Sequence, residues 1–338
     1  MAVPQATDGA PKAGGDPAPG GEHQVRPSLA RDLLALTKPR VISLLLVTAV
    51  APMFITGLGA PPLALVGWVL LGGFLMAGGA NAINMWFDQD IDHFMSRTRQ
   101  RPVPAGRVTP AMALVFGIGL GSLAFAILWR FANPLSAWLA LGGLLFYVLV
   151  YTVWLKRSTP QNIVIGGAAG AFPPLVGYAA MAGHLDLTAW YLFAIIFFWT
   201  PPHFWALALL KKGEYAKAGV PMLPVVRGER DTKVQMLIYT LILLPLTILP
   251  AFIGAFGLLY AVAALVLGGR FLWYNFQLLR EDGVSPTAWR MYKYSLVYLA
   301  LLFVAMSVDR TMPREAQAET PDVLILDQPA APATPLAR

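Results

Sequence analysis

NAINMWFDQDIDHFMSRTRQRPVPAGR, residues 81–107, is the stretch on which the reading of this chain turns. Asn84, Asp88 and Asp92 recur there at four-residue spacing. On a helix that spacing puts all three side chains on one face. They follow a run of about twenty mostly apolar residues, the length that spans a bilayer, and arginines come next. Carboxylates where a hydrophobic helix meets water are costly, and a hard divalent cation is the simplest partner for them. A solvated helix cap that doubles as a topology signal is the bland alternative. The order Asn-x-x-x-Asp-x-x-x-Asp, then Arg-x-Arg-x-Arg-Pro, favours a built site. Asp90 lies off the shared face and reads as solvated or as a supporting neighbour.

Composition sets the class of molecule. Apolar residues make up 57% of the 338-residue chain and charged residues 13%, with a mean hydropathy of +0.60. An ordinary soluble domain is about 25% charged. Cysteine is absent, which excludes disulfides, thiolate metal sites and cysteine nucleophiles. The net charge of +7 would suit nucleic acid, but in so hydrophobic a chain the placement of the basic residues matters more than their sum. No nucleic-acid partner is expected.

Apolar runs predict an all-α membrane protein with nine spanning helices, near 41–58, 63–83, 111–130, 134–154, 162–182, 188–209, 234–254, 256–278 and 293–309. Only a short glycine-containing turn near Gly254 and Gly257 divides the seventh from the eighth. With the N-terminus cytoplasmic and the C-terminus outside, every Lys and Arg except Arg130, Arg310, Arg314 and Arg338 falls on or beside the inner side, as the positive-inside rule requires. Residues 1–27 and 311–338 are rich in Pro and Ala and predict disordered tails. The membrane domain is then 28–310.

The two longest inner loops, 84–110 and 210–233, each carry acids and bases together. Mg²⁺ takes one or two carboxylates and completes its shell with substrate phosphates and water. Arg and Lys neutralise the remaining phosphate charge. The combination describes a diphosphate site.

The chain also resembles a known family, the UbiA intramembrane prenyltransferases, and within it the haem O synthase branch. The resemblance rests on four ordered blocks: LTKPRVISLLLVTAVAPMF, NAINMWFDQDIDHFMSRTRQRPVPAGRV, YTVWLKRSTPQNIVIGGAAGAFPPLVGYAA and WTPPHFWALALLKKGEYAKAGVPMLPVV. It implies a nine-helix bundle around a central cavity that opens towards lipid, in a bacterial (or mitochondrial) inner membrane. It implies Mg²⁺ as cofactor, and farnesyl diphosphate and haem B as substrates. The implied reaction gives haem O and diphosphate, with a haem A synthase or terminal oxidase as downstream acceptor.

Carried over position by position, the resemblance makes Asn84, Asp88 and Asp92 the first Mg²⁺–diphosphate cluster. Arg97 and Arg101 become diphosphate partners, though they read equally as positive-inside anchors. Lys38 and Arg40 in TKPR, and Lys156 and Arg157 in WLKR, reach the same phosphates by resemblance, while each alone reads as a snorkelling residue. The second region departs from the wider family: LLKKGEYAKAG holds Glu214 as its only carboxylate where many members carry paired aspartates. Glu214 is then a single ligand, with Lys211 or Lys212 on phosphate in place of a second metal. His203, inside the sixth span in TPPHFWALAL, becomes the candidate haem contact, with His93 second. An interhelical hydrogen bond is the ordinary role of a histidine inside a span. Two rivals stay open: a sister prenyltransferase acting on a quinone precursor or chlorophyllide, and, more remotely, a transporter.

Overall fold

Lipid offers no partner to an unpaired backbone group, so apolar runs in it close their hydrogen bonds within helices. The computed structural model describes residues 28–283 and 286–312, and every regular element among them is helical. The predicted tail 1–27 and all of the predicted tail 311–338 beyond residue 312 lie outside the described residues, and Thr311 closes the last helix.

In chain order the elements are α1 (Leu29–Thr37), α2 (Pro39–Ile55), α3 (Leu63–Phe87), α4 (Gln89–Asp92), α5 (Pro110–Phe131) and α6 (Pro134–Leu145). A π-helical stretch (Phe146–Leu155) continues α6 into α7 (Lys156–Ser158). Then come α8 (Asn162–Gly166), a 3₁₀ turn (Gly167–Ala171), α9 (Phe172–Ala182), α10 (Leu187–Leu210), α11 (Lys212–Lys217) and α12 (Leu223–Val226). Three long helices follow: α13 (Gly228–Phe252), α14 (Leu258–Arg280) and α15 (Pro286–Thr311).

Among the described residues eight helices or helix runs are long and apolar enough to cross a bilayer, and the α1–α2 pair, bent by 45°, makes a ninth when taken as one broken span. The predicted count therefore holds, with one difference at the start. The first span begins earlier than residue 41 and is broken at Lys38, which adopts a left-handed conformation (φ 56°, ψ 60°). Pro39 is the cause: its ring disfavours an α conformation in the residue before it. The turn between α13 and α14 falls where the glycines placed it, with Gly254 at φ 73°.

The helices close on themselves. α3 packs on α2 and α5, α6 on α5 and α9, α13 on α10 and α14, and α15 meets both α14 and α2. Small residues set the tightest crossings, as expected where lipid provides no hydrophobic drive. A Cβ on Gly79 of α3 would lie 2.6 Å from the Gly117 carbonyl of α5, and one on Gly177 of α9 would lie 1.6 Å from the Ala49 carbonyl of α2. The first crossing holds α3 against α5, and the second holds α9 against α2, on which α3 also packs.

Candidate active site

The ladder survives as a ladder. α3 ends at Phe87 and α4 begins at Gln89, yet the Asp88 amide donates to the Asn84 carbonyl and the Asp92 amide to the Asp88 carbonyl, both at 2.9 Å. Helical spacing thus persists through the junction, and Asn84, Asp88 and Asp92 are all buried, at 4%, 0% and 2% exposure. Buried carboxylates need partners, and cations from three other segments supply them.

Lys38, at the break between α1 and α2, donates through Nζ to Oδ1 of Asn84 and of Asn81, each at 3.2 Å. Asn84 in turn donates through Nδ2 to Asp88 Oδ2 at 2.6 Å and to Thr152 Oγ1 at 3.2 Å. Lys156 of α7 donates directly to Asp88 Oδ2. Arg101 of the loop after α4 donates to Asp92 Oδ2 at 2.7 Å. Arg157 clamps Asp90 through both terminal nitrogens at 2.7 and 2.8 Å, lies over the Phe87 ring, and stands 3.6 Å from Asp88 Oδ1. This clamp is the largest influence on the exposed Asp90 carboxyl and holds it below its ordinary range.

Four cations therefore face three carboxylates. A site for a bare metal ion alone would carry surplus negative charge; this one carries surplus positive charge, which suits an anion bound together with a cation. Asp88 Oδ1, fully buried, has no hydrogen-bond donor. Among the described residues no three His, Asp or Glu side chains converge as a complete metal shell. The oxygens of Asn84, Asp88 and Asp92 are nevertheless all hard donors, and they fit a hard divalent cation whose other ligands come from a bound anion and water.

The opposing loop meets this end of the bundle. Glu214 of α11 accepts from Ser96 at 2.9 Å and from Lys211 at 2.8 Å, while its Oε2 is buried without a donor. The Lys211 contact, first among the influences on it, keeps the Glu214 carboxyl below its usual range. Lys212 turns away and pairs with Glu229 at 3.1 Å. Arg40, Arg97 and His93 are exposed. Arg97 is still near enough to Tyr147, Tyr151 and Tyr215 for its charge to act on their hydroxyls.

His203 is buried deeper in the bundle, among aromatic side chains. From Lys211, the residue that caps the end of α10, it is eight residues back, roughly 12 Å at 1.5 Å per residue. Its ring is stacked between Trp199 (4.3 Å, 16°) and Tyr292 (4.8 Å, 22°), and Nδ1 is 2.6 Å from Ser295 Oγ. Tyr292 and Tyr215 are electrostatic neighbours, and Tyr215 in turn feels Arg97 and Arg101. The aromatic layer thus connects the histidine to the charged mouth.

Sequence reading missed several of these residues. Asn81, Tyr147, Tyr151 and Thr152 sit inside apolar runs that periodicity treats as packing. The π-helical stretch decides the last three: Thr152 Oγ1 donates to the Tyr147 carbonyl five residues back at 2.9 Å, and Tyr147 stacks on Tyr151 at 5.5 Å. Such stretches gather at functional sites. Lys38, Tyr147 and Tyr151 are half-buried beside the ladder.

Known proteins are similar to this chain in sequence and in fold. A protoheme IX farnesyltransferase of Roseiflexus sp. (strain RS-1) is 56% identical over 287 residues, which is 85% of this chain and 54% of that protein. The chain thus spans about half the length of the first of its curated relatives. A protoheme IX farnesyltransferase of Symbiobacterium thermophilum is 54% identical over 284 residues, 84% of this chain and 95% of that protein. The fold is similar to a digeranylgeranylglyceryl phosphate synthase (TM-score 0.67, 19% identity, 83% and 98% covered). It is also similar to a UbiA homolog from Archaeoglobus fulgidus bound to DMAPP and Mg²⁺ (TM-score 0.61, 20% identity, 82% and 99% covered). The pattern of the UbiA prenyltransferase family matches residues 44–304. A buried Asn–Asp–Asp ladder ringed by cations at one end of an apolar bundle, and a family match over most of that bundle, lead to one conclusion: this chain belongs to the UbiA prenyltransferase family.

Proposed function

We propose that the protein transfers a farnesyl group from farnesyl diphosphate to a vinyl group of haem B, giving haem O and diphosphate. The observation that carries this reading is the surplus of cations (Lys38, Arg101, Lys156 and Arg157) around the buried Asn84–Asp88–Asp92 ladder. The names of the relatives supply the prenyl group and the acceptor. The charged end is assigned to the cytoplasmic face of a bacterial inner membrane, with the N-terminus inside and the C-terminus outside.

Asn84, Asp88 and Asp92 would hold Mg²⁺, with Glu214 as a further oxygen donor through its unpaired Oε2. Bound there, the ion would offset the negative charge that develops on the diphosphate. Lys156, Arg101, Lys38 and Arg157 bind the remaining phosphate oxygens, and Lys211 reaches them from the opposing loop. As the allylic C–O bond breaks, its electron pair leaves on diphosphate, where these cations stabilise it. The vinyl π-bond attacks the farnesyl cation and forms the new C–C bond. Water then adds to the resulting cation beside the porphyrin ring and releases one proton. The apolar helices exclude water from the first cation. His203 would contact the haem.

Purified protein given farnesyl diphosphate, haem B and Mg²⁺ is expected to form haem O and release diphosphate, followed by mass and absorbance. Asp88→Asn and Asp92→Asn are expected to remove turnover without removing membrane insertion. Full turnover in either variant would sink the assignment. Prenylation of a quinone precursor with haem B untouched would transfer the chain to the sister activity.

A further inference from the structure

The buried surroundings of His203 fix a proton count that the cation-ringed site does not use. Ser295 has one hydroxyl proton, and its Oγ stands 2.7 Å from the Tyr292 carbonyl and 2.6 Å from His203 Nδ1. Ser295 is fully buried, and its own carbonyl accepts from Trp199 Nε1 at 2.9 Å. The carbonyl of Tyr292 can only accept.

Two arrangements are conceivable. If Ser295 donated to Nδ1, no proton would lie between Oγ and the Tyr292 carbonyl, and two oxygen lone pairs would face each other at 2.7 Å. The imidazole proton would then be on Nε2, where no hydrogen bond to a described residue exists. That arrangement therefore sets two lone pairs against each other and gains no bond for the ring proton. If Ser295 donates to the Tyr292 carbonyl, its Oγ lone pair accepts Nδ1–H. Both protons are then bonded, and only the Nε2 lone pair is left open.

The ring cannot escape this choice. Trp199 and Tyr292 cover its two faces, Phe204 stands edge-on at 4.9 Å, and Ser295 holds the Nδ1 edge. The Nε2 edge is the one left over. A histidine that binds a metal centre is held in the same way, with its other N–H donated to an oxygen that fixes tautomer and ring angle.

We propose that Ser295 is a positioning residue that locks His203 in the Nδ1–H tautomer and so presents the Nε2 lone pair as an axial ligand to the iron of the haem substrate. The inference rests on the haem reading of this protein. It adds a residue 92 positions away in the chain, and a chemical reason why the histidine binds as a base and not as a donor.

The test separates the two layers. Nitrogen-15 NMR of ring-labelled histidine, in the haem-free protein, distinguishes the protonated from the unprotonated nitrogen; subtraction of the His203→Gln spectrum isolates this residue. The expected result is protonated Nδ1 and bare Nε2. A protonated Nε2 would overturn the proposal whatever the haem does. Ferric haem B titrated into detergent-solubilised protein is expected to give an imidazole-ligated Soret band that His203→Ala loses. Ser295→Ala is expected to scramble the tautomer and weaken haem binding about 10–100-fold, while Ser295→Thr, which keeps a hydroxyl, restores both. Unchanged tautomer and affinity in Ser295→Ala would overturn the positioning role. An unchanged Soret band in His203→Ala would overturn the haem reading, and the ligand role with it, even where the tautomer is as expected.

Discussion

At the scale of single residues, Asp88 makes the sharpest demand. It is fully buried, and Lys156 and Arg157 are the cations beside it. Removing one partner of a buried pair leaves an uncompensated charge and costs about 3–5 kcal/mol, whereas replacing both partners by neutral groups is far milder. Lys156→Met is therefore expected to lower the melting temperature in detergent and to abolish diphosphate release. The double variant Lys156→Met/Asp88→Asn is expected to recover much of the melting temperature and none of the activity. A double variant as unstable as the single one would show that packing, not charge, is the cause. Glu214 gives a pH prediction. Its carboxyl is held below the ordinary range, so its contribution is present above the unfolded value and is lost as pH falls through the folded one. Glu214→Gln is expected to flatten this acid limb in a plot of melting temperature against pH. An identical acid limb in the variant would remove Glu214 as its source.

At the scale of elements, helix crossings decide where the ladder stands. α9 passes α2 so closely that a methyl group on Gly177 would overlap the Ala49 carbonyl, which is backbone and cannot step aside. Gly177→Ala is expected to prevent folding or strongly reduce the yield of monodisperse protein on gel filtration. Gly119, in α5, has open space around its missing Cβ and an ordinary helical φ. Gly119→Ala is expected to be silent or slightly stabilising in the same assay. Equal behaviour of the two would mean that the crossings do not limit stability. The broken first span belongs here too. α1 and α2 meet at 45° around a left-handed Lys38, and the break delivers its Nζ to Asn81 and Asn84. A straight helix through this point would carry that amine elsewhere. Proline at 39 was visible in the sequence; the direction in which the break aims Lys38 was not.

At the scale of the whole molecule, the charged loops share one end of the bundle. Ser96 bonds Glu214 across 118 positions of sequence, and Arg107 bonds Asp32 at 2.9 Å. The absence of cysteine makes the orientation testable without a background. Single variants Arg97→Cys and Arg130→Cys are expected to react with a membrane-impermeant maleimide from opposite faces, the first only in inverted vesicles and the second only in right-side-out ones. Labelling of both from one face would refute the proposed topology.

Legibility in the sequence followed the range of the interactions. Helical spacing, apolar run length and lysine and arginine placement act over a few residues or one bilayer thickness. They sufficed for nine spans, for the Asn84–Asp88–Asp92 face and for the gathering of acids and bases in two loops, because lipid forces each apolar run to close its own hydrogen bonds. What a side chain pairs with across the bundle acts over long separations and leaves no local periodicity. Only the tertiary structure decided that Lys156 takes Asp88 while Lys212 turns to Glu229, that a π-helical stretch brings Thr152 to Asn84, and that Ser295 holds the imidazole of His203. Those choices depend on close packing between helices distant in the chain, where a buried polar atom must take whichever partner the crossing brings within reach.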